Sequence, residues 1–212
     1  MAPIETSTPN ALSALRRFAR KRADVERCEL CGTELGPEHQ HLIEPANRRL
    51  VCSCDACAIL FDSPHAVRYR RVPRRIEALP DFRMTDMQWE ALHLPISLAF
   101  FYHSTPAERV VAMFPSPAGA TESLLTLESW QDLEADNPVL RELQPDVEAL
   151  LVNRVGEGRT YFRVPIDECF KLVGLIRTHW RGLSGGTEVW KEIAQFYSSL
   201  NERAVGGGGS HA

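Results

Sequence analysis

No stretch of this 212-residue chain approaches the ~20 consecutive apolar residues that a membrane-crossing helix needs, so no membrane span is expected. Excess positive charge is also missing. The chain has 24 Lys and Arg against 28 Asp and Glu, a net charge of −4. That balance argues against a surface built to grip nucleic acid. No internal repeat of ~20–50 residues is visible, which excludes a solenoid or propeller. Aromatic residues are few, with 9 Phe, 4 Trp and 4 Tyr, yet they suffice for a core. No apolar run follows Arg16, Arg17, Arg20 and Arg22. A secretory leader is therefore not expected, and the chain reads as cytoplasmic.

What is present is an ordinary globular balance, 44% hydrophobic and 25% charged. The charge is split unevenly. Residues 1–75 hold 13 Lys and Arg against 9 Asp and Glu, whereas residues 76–212 hold 11 against 19. The front third is basic and the remainder acidic.

Composition and turn signals divide the chain into five parts. Residues 1–22 read as a polar tail with a short basic helix over 11–22. Residues 23–63 contain a cysteine cluster. Residues 64–92 form an extended Arg- and Pro-rich connection, with room for one short strand, followed by a helix over 84–92 with Thr85 as its N-cap and Met87 and Ala91 on one side. Residues 93–204 read as an α+β domain. Residues 205–212 read as a flexible Gly-rich tail. Within the α+β part, strands are expected at 96–103, 109–114, 147–155 and 160–164. Helices are expected at 127–135, 166–180 and 187–200, the last two with stripes Cys169, Val173, Ile176, Trp180 and Trp190, Ile193, Tyr197, Leu200. The order ββαββαα predicts an antiparallel sheet with helices on one face.

Five of the six cysteines lie within thirty residues, as Cys28-x2-Cys31 and Cys52-x-Cys54-x2-Cys57. With no export signal, this clustering points to a metal rather than to disulfides. A Cys-x2-Cys knuckle turns two thiolates onto one ion, and Gly32 allows the chain to reverse. A second pair some twenty residues on completes a tetrahedron. The x2 spacing selects Cys28, Cys31, Cys54 and Cys57, with Cys52 as the alternative ligand in place of Cys54. A knuckle, a hairpin and a pair at a helix start make a treble clef; two knuckles make a zinc ribbon. Both remain open, as does the metal. Ligand softness does not separate zinc from iron, but Ala58 stands where a one-iron rubredoxin-like site usually has glycine, which favours zinc. His39 and His41 fall between the pairs and are assigned to the hairpin surface or to a supporting role.

Other features point less sharply. Arg68 to Arg75 could meet phosphate or an acidic protein surface. The loop Arg181–Thr187 is read as a helix cap rather than an anion site. Ser116, Thr121 and Ser123 have no His/Asp setting nearby, and Cys169 sits on an apolar stripe. No catalytic set emerges.

The runs Arg27-Cys-Glu-Leu-Cys-Gly32, Arg49-Leu-Val-Cys-Ser-Cys-Asp-Ala-Cys-Ala-Ile-Leu-Phe61, Arg68-Tyr-Arg-Arg-Val-Pro73, Pro115-Ser-Pro-Ala-Gly-Ala-Thr-Glu-Ser123 and His179-Trp-Arg-Gly-Leu-Ser-Gly-Gly186 stand out together. In them the chain resembles, from about residue 18 to 204, an uncharacterised and mainly actinobacterial family encoded beside [NiFe]-hydrogenase structural and maturation genes. The resemblance implies a context, not a mechanism: a hydrogenase subunit or maturation factor as partner. The expectation is thus a non-enzymatic, zinc-stabilised accessory protein. The alternatives are a rubredoxin-like one-iron electron carrier and a zinc-dependent nucleic-acid-binding protein.

Overall fold

The computed structural model describes residues 25–62, 68–123, 128–182 and 184–204. The basic helix expected over 11–22 and the tail expected over 205–212 lie outside the described residues.

The front of the chain builds a small module. β1 (Gln40–Glu44) and β2 (Arg49–Ser53) form an antiparallel hairpin, and α1 (Asp55–Phe61) follows at once. β3 (Arg70–Arg71) pairs with the other edge of β1. Among the described residues, the core of this module is Leu42, Val51 and Ala58, with Leu30 and Tyr69 against them. So small a core does not supply folding energy on its own.

The rest is organised by a six-stranded sheet in the order β4-β9-β8-β5-β6-β7, with every neighbouring pair antiparallel. Its members are β4 (Glu77–Ala78), β5 (Leu98–Ser104), β6 (Arg109–Ser116), β7 (Gly119–Glu122), β8 (Glu148–Asn153) and β9 (Thr160–Pro165). The α+β class and the antiparallel sheet are as expected. β7 is an addition: Ser116 pairs with Gly119 across a tight turn, so Pro117 and Ala118 turn the chain into a further strand instead of ending the pair. Pro115 is tolerated because this end of β6 extends past its pairing with β5.

Alternation along the strands sorts the core into two layers. Leu98, Phe100, Tyr102, Ala149, Leu151, Phe162 and Val164 face α4 (Ile166–His179) and α5 (Gly186–Arg203), whose Cys169, Leu172, Ile176, Val189, Ile193 and Leu200 meet them. These two long helices share one face, whereas the element order predicts every helix there. The opposite face is covered too. Ala99, Phe101, Leu150, Val152 and Tyr161 pack beneath Phe82, Leu92, Trp130, Leu133 and Leu140. These come from the connecting segment, from α3 (Glu128–Asp136) and from a 3-10 turn over Pro138–Glu142. A strand buried on both faces reads as a continuous apolar run, which is the character of Leu98–Tyr102.

Two side chains depart from the expected stripes. Trp190 is 40% exposed, because Val189, one position earlier, takes the inward place on α5. Met87 is 78% exposed on α2 (Asp86–Ala91). That short helix is instead anchored by a Thr85–Gln88 capping box, while Leu92 just beyond it enters the core.

The module and the sheet share contacts. Ile43 and Val72 belong to the same apolar cluster as α4 and α5. Arg48 bonds Glu122 at 2.8 Å, and Arg70 reaches the buried Asp146 at 3.2 Å.

Candidate metal centre

Cys28 and Cys31 sit on a knuckle closed by main-chain bonds. The Gly32 N–H donates to the Cys28 carbonyl at 2.8 Å, and the Cys28 N–H to the Thr33 carbonyl at 2.8 Å. Gly32 has φ +78°, a conformation that costs side-chain-bearing residues and that glycine adopts freely. Arg27 and Glu34 bridge the base of the turn at 2.6 Å. On the far side of the hairpin, Cys54 is the N-cap of α1, and its sulfur accepts from the Cys57 N–H at 3.5 Å. A knuckle, a hairpin and a helix start is the treble-clef order, one of the two arrangements left open by the spacing.

The fold brings the four sulfurs of Cys28, Cys31, Cys54 and Cys57 within 4.8 Å of one another. Cys31 and Cys54 are 3.7 Å apart. Zinc–thiolate bonds of ~2.3 Å in a tetrahedron place sulfurs about 3.8 Å apart, so the donors fit one such ion. All six cysteines are free thiols. Cys28 and Cys57 are buried and Cys31 is exposed. The electrostatics are compatible with a bound cation. Hydrogen bonds from the Thr33 hydroxyl and main chain, and then from Cys28 and Cys57, lower the Cys31 thiol to about 6. Burial, followed by its three neighbours, pushes Cys57 up to about 12. Four crowded sulfurs cannot all become anionic alone; a metal ion allows it.

Cys52 stands outside this set. Burial, followed by the nearby charges of Glu26, Glu29 and Cys28, raises its thiol. It pairs across the strands with His41. The two histidines are not surface ornaments. The His39 side chain is only 8% exposed, and the His41 ring bonds Asp167 of α4 at 2.7 Å. His39, His41 and Cys52 form a second group of potential ligands. The sequence signal was the closeness of His39 and His41 at the start of β1; the contribution of Asp167 had no sequence signal.

The remaining candidates have structural partners. Ser116 bonds the Gly119 carbonyl at 2.9 Å and the Thr121 hydroxyl at 3.1 Å, closing a turn without any base. Cys169 is fully buried in the core. In the loop after α4, Trp180 and Trp190 donate their indole N–H groups to the Gly182 and Ser184 carbonyls, and Arg181 bonds the Thr178 and Trp180 carbonyls. Most of the arginine stretch is engaged within the chain: Arg68 with Glu44, Arg70 with Asp146, Arg71 with Gln40 and Arg75 with Glu77. Among the described residues, no helix is long and apolar enough to cross a membrane.

No curated protein and no solved structure matches the chain. A family comparison does match, over residues 27–204, from the base of the knuckle to the end of α5. The match spans both the cysteine module and the two-layered sheet, and by it the chain belongs to a family of unknown function (DUF5947).

Proposed function

We propose that this chain is a zinc-stabilised, non-enzymatic accessory protein that works by contact, with a [NiFe]-hydrogenase subunit or maturation factor as its partner. The observation that carries the first half is the closed four-sulfur cluster. Four thiolates fill a tetrahedral ion and leave no position for substrate, which is the chemistry of a structural site. Ala58 lies inside α1 where a one-iron knuckle would turn, and this favours zinc over the rubredoxin-like alternative. The hydrogenase partner rests on the resemblance of the sequence motifs.

The contact surface is the outer side of α1. Ile59 is 69% and Leu60 71% exposed, and both lie on the helix that carries Cys57. Two adjacent large apolar side chains in water favour an apolar patch on a protein partner. The arginine stretch is the weaker surface because its side chains already pair inside the chain.

Protein purified from its native host is expected to carry zinc at the cysteine cluster and to be colourless; visible thiolate-to-iron absorption would establish the electron-carrier alternative instead. Cys54→Ala is expected to lose this ion and Cys52→Ala to keep it, as read by elemental analysis. The reverse result transfers the ligand role to Cys52. Ile59→Glu with Leu60→Glu is expected to leave stability within about 0.5 kcal/mol and to abolish co-purification of hydrogenase subunits. Charge reversal at Arg70, Arg71 and Arg74 is expected to lower the Tm, because it sets a negative charge beside the buried Asp146 carboxylate and leaves that carboxylate only its two hydrogen bonds from Thr105. Retained co-purification in the Ile59/Leu60 variant, with loss in a fully stable arginine variant, moves the docking surface to the arginines. Salt-dependent binding to DNA or RNA would support the nucleic-acid alternative.

A further inference from the structure

A second group of potential ligands lies at the hairpin itself. Cross-strand register partners share a face of the sheet. Cys52 is the register partner of His41, and His39 stands just before the first residue of β1. The three side chains converge, with one donor atom from each lying within 4.8 Å of the others. The two rings meet edge to face, with centroids 4.8 Å apart.

The hydrogen bonds around the rings decide which nitrogen is free. His39 Nδ1 lies 3.0 Å from the Gly36 carbonyl, and His41 Nδ1 lies 2.7 Å from Asp167 Oδ2. A carbonyl and a carboxylate both accept, so each Nδ1 carries the proton and each Nε2 presents a lone pair. A backbone carbonyl or carboxylate holding the remote nitrogen is the usual support of a metal-bound imidazole. The His39 side chain is more than nine-tenths buried, and its Nε2 has no hydrogen-bond partner. A buried acceptor without a donor carries a desolvation cost that a ligand can relieve. Asp167 Oδ1 is also buried and unpartnered.

We propose that His39 Nε2, His41 Nε2 and the Cys52 thiolate form a second metal site for a borderline divalent cation of the zinc class. It is separate from the four-cysteine cluster and has an exchangeable fourth position. Two imidazoles and one thiolate suit such an ion. Bonds of about 2.0–2.3 Å draw the three donors together, and Cys52 releases its proton to solvent as the metal–sulfur bond forms. Three protein ligands leave one position for water or an incoming group, unlike a closed four-thiolate site. His39 and His41 border a groove of about 510 Å³ that also holds Glu38, Arg74 and Lys171. Asp167 is a positioning residue: it touches His41 and not the ion.

The test uses the full chain with its cysteine-cluster ion in place. Zinc uptake is measured by elemental analysis after equilibration with free zinc, and cobalt is used as a coloured probe. The wild-type chain is expected to bind two ions. His39→Gln and Cys52→Ser are each expected to bind one, with the tetrathiolate cobalt spectrum of the first site unchanged. Asp167→Asn is expected to keep the second ion about 10–100-fold more weakly. A wild-type chain that takes up no second ion at millimolar free zinc overturns the proposal, and this measurement does not depend on any variant folding. So does a second ion retained by both His39→Gln and Cys52→Ser. Loss of the first ion in Cys52→Ser also overturns it, since the thiol then belongs to the cysteine cluster.

Discussion

Cys57→Ser is expected to release the ion from the cysteine cluster and to melt residues 25–62 while the six-stranded sheet stays folded. The size of the effect follows from how little else holds the module. Its core is three buried side chains, Leu42, Val51 and Ala58. A structural zinc supplies about 10–16 kcal/mol to isolated zinc-finger peptides near neutral pH, far more than three small apolar groups contribute. Cys57 is a demanding position because it is buried and in the first turn of α1, where a serine oxygen is a poor zinc ligand. The large sheet has its own two core layers, so the loss should stay local apart from the contacts of Ile43 and Val72. Elemental analysis and hydrogen exchange read the two halves of this outcome. Full metal content with unchanged exchange protection over residues 25–62 would show that the cluster does not hold the module together.

Arg163→Met should be the most damaging single change in the sheet that leaves the cluster untouched. Arg163 is 5% and Glu148 1% exposed, on neighbouring strands β9 and β8. The guanidinium grips the carboxylate with two bonds, Nε to Oε1 at 3.0 Å and Nη2 to Oε2 at 2.6 Å, and also donates to the Glu142 carbonyl at 2.9 Å. Removing the cation strands a buried carboxylate, which costs about 3–5 kcal/mol. At about 2–4 °C per kcal/mol, the Tm should fall by roughly 6–20 °C. Arg163→Met combined with Glu148→Gln should recover most of the loss, because the uncompensated charge is gone and the Gln144 N–H keeps its acceptor. Thermal denaturation of the single and double variants decides it. Equal Tm values for the two variants would locate the cost in lost packing and not in charge.

The elements that the sequence made legible are those with a strong local cause. Thr85 announced the start of α2 as an N-cap, and the period of α4 showed in Cys169, Val173 and Ile176. The x2 spacing and Gly32 announced the knuckle, because two neighbouring cysteines and a residue free to adopt positive φ are a local device. Trp190 was misplaced because adjacent stripes on one helix differ by a single position, and only the packing of α5 on the sheet chooses Val189 for the inside. β7 was hidden because its four residues, Gly119–Glu122, look like a loop until β6 offers them an edge.

Sequence alone determined an α+β chain with antiparallel strands and a cysteine cluster near its front, and its spacing favoured Cys28, Cys31, Cys54 and Cys57, with Cys52 as the alternative to Cys54. Spacing and periodicity act over a few residues, so they can be read without knowing the fold. Tertiary structure decided what depends on remote partners. It set Cys52 apart from the four, covered the second face of the sheet with Phe82, Leu92 and Trp130, and turned Arg70 inward to Asp146. It also brought Asp167, 126 residues away in sequence, onto His41. Such a hydrogen bond forms only when α4 packs beside the hairpin, and nothing in the local chemistry of either segment specifies the other.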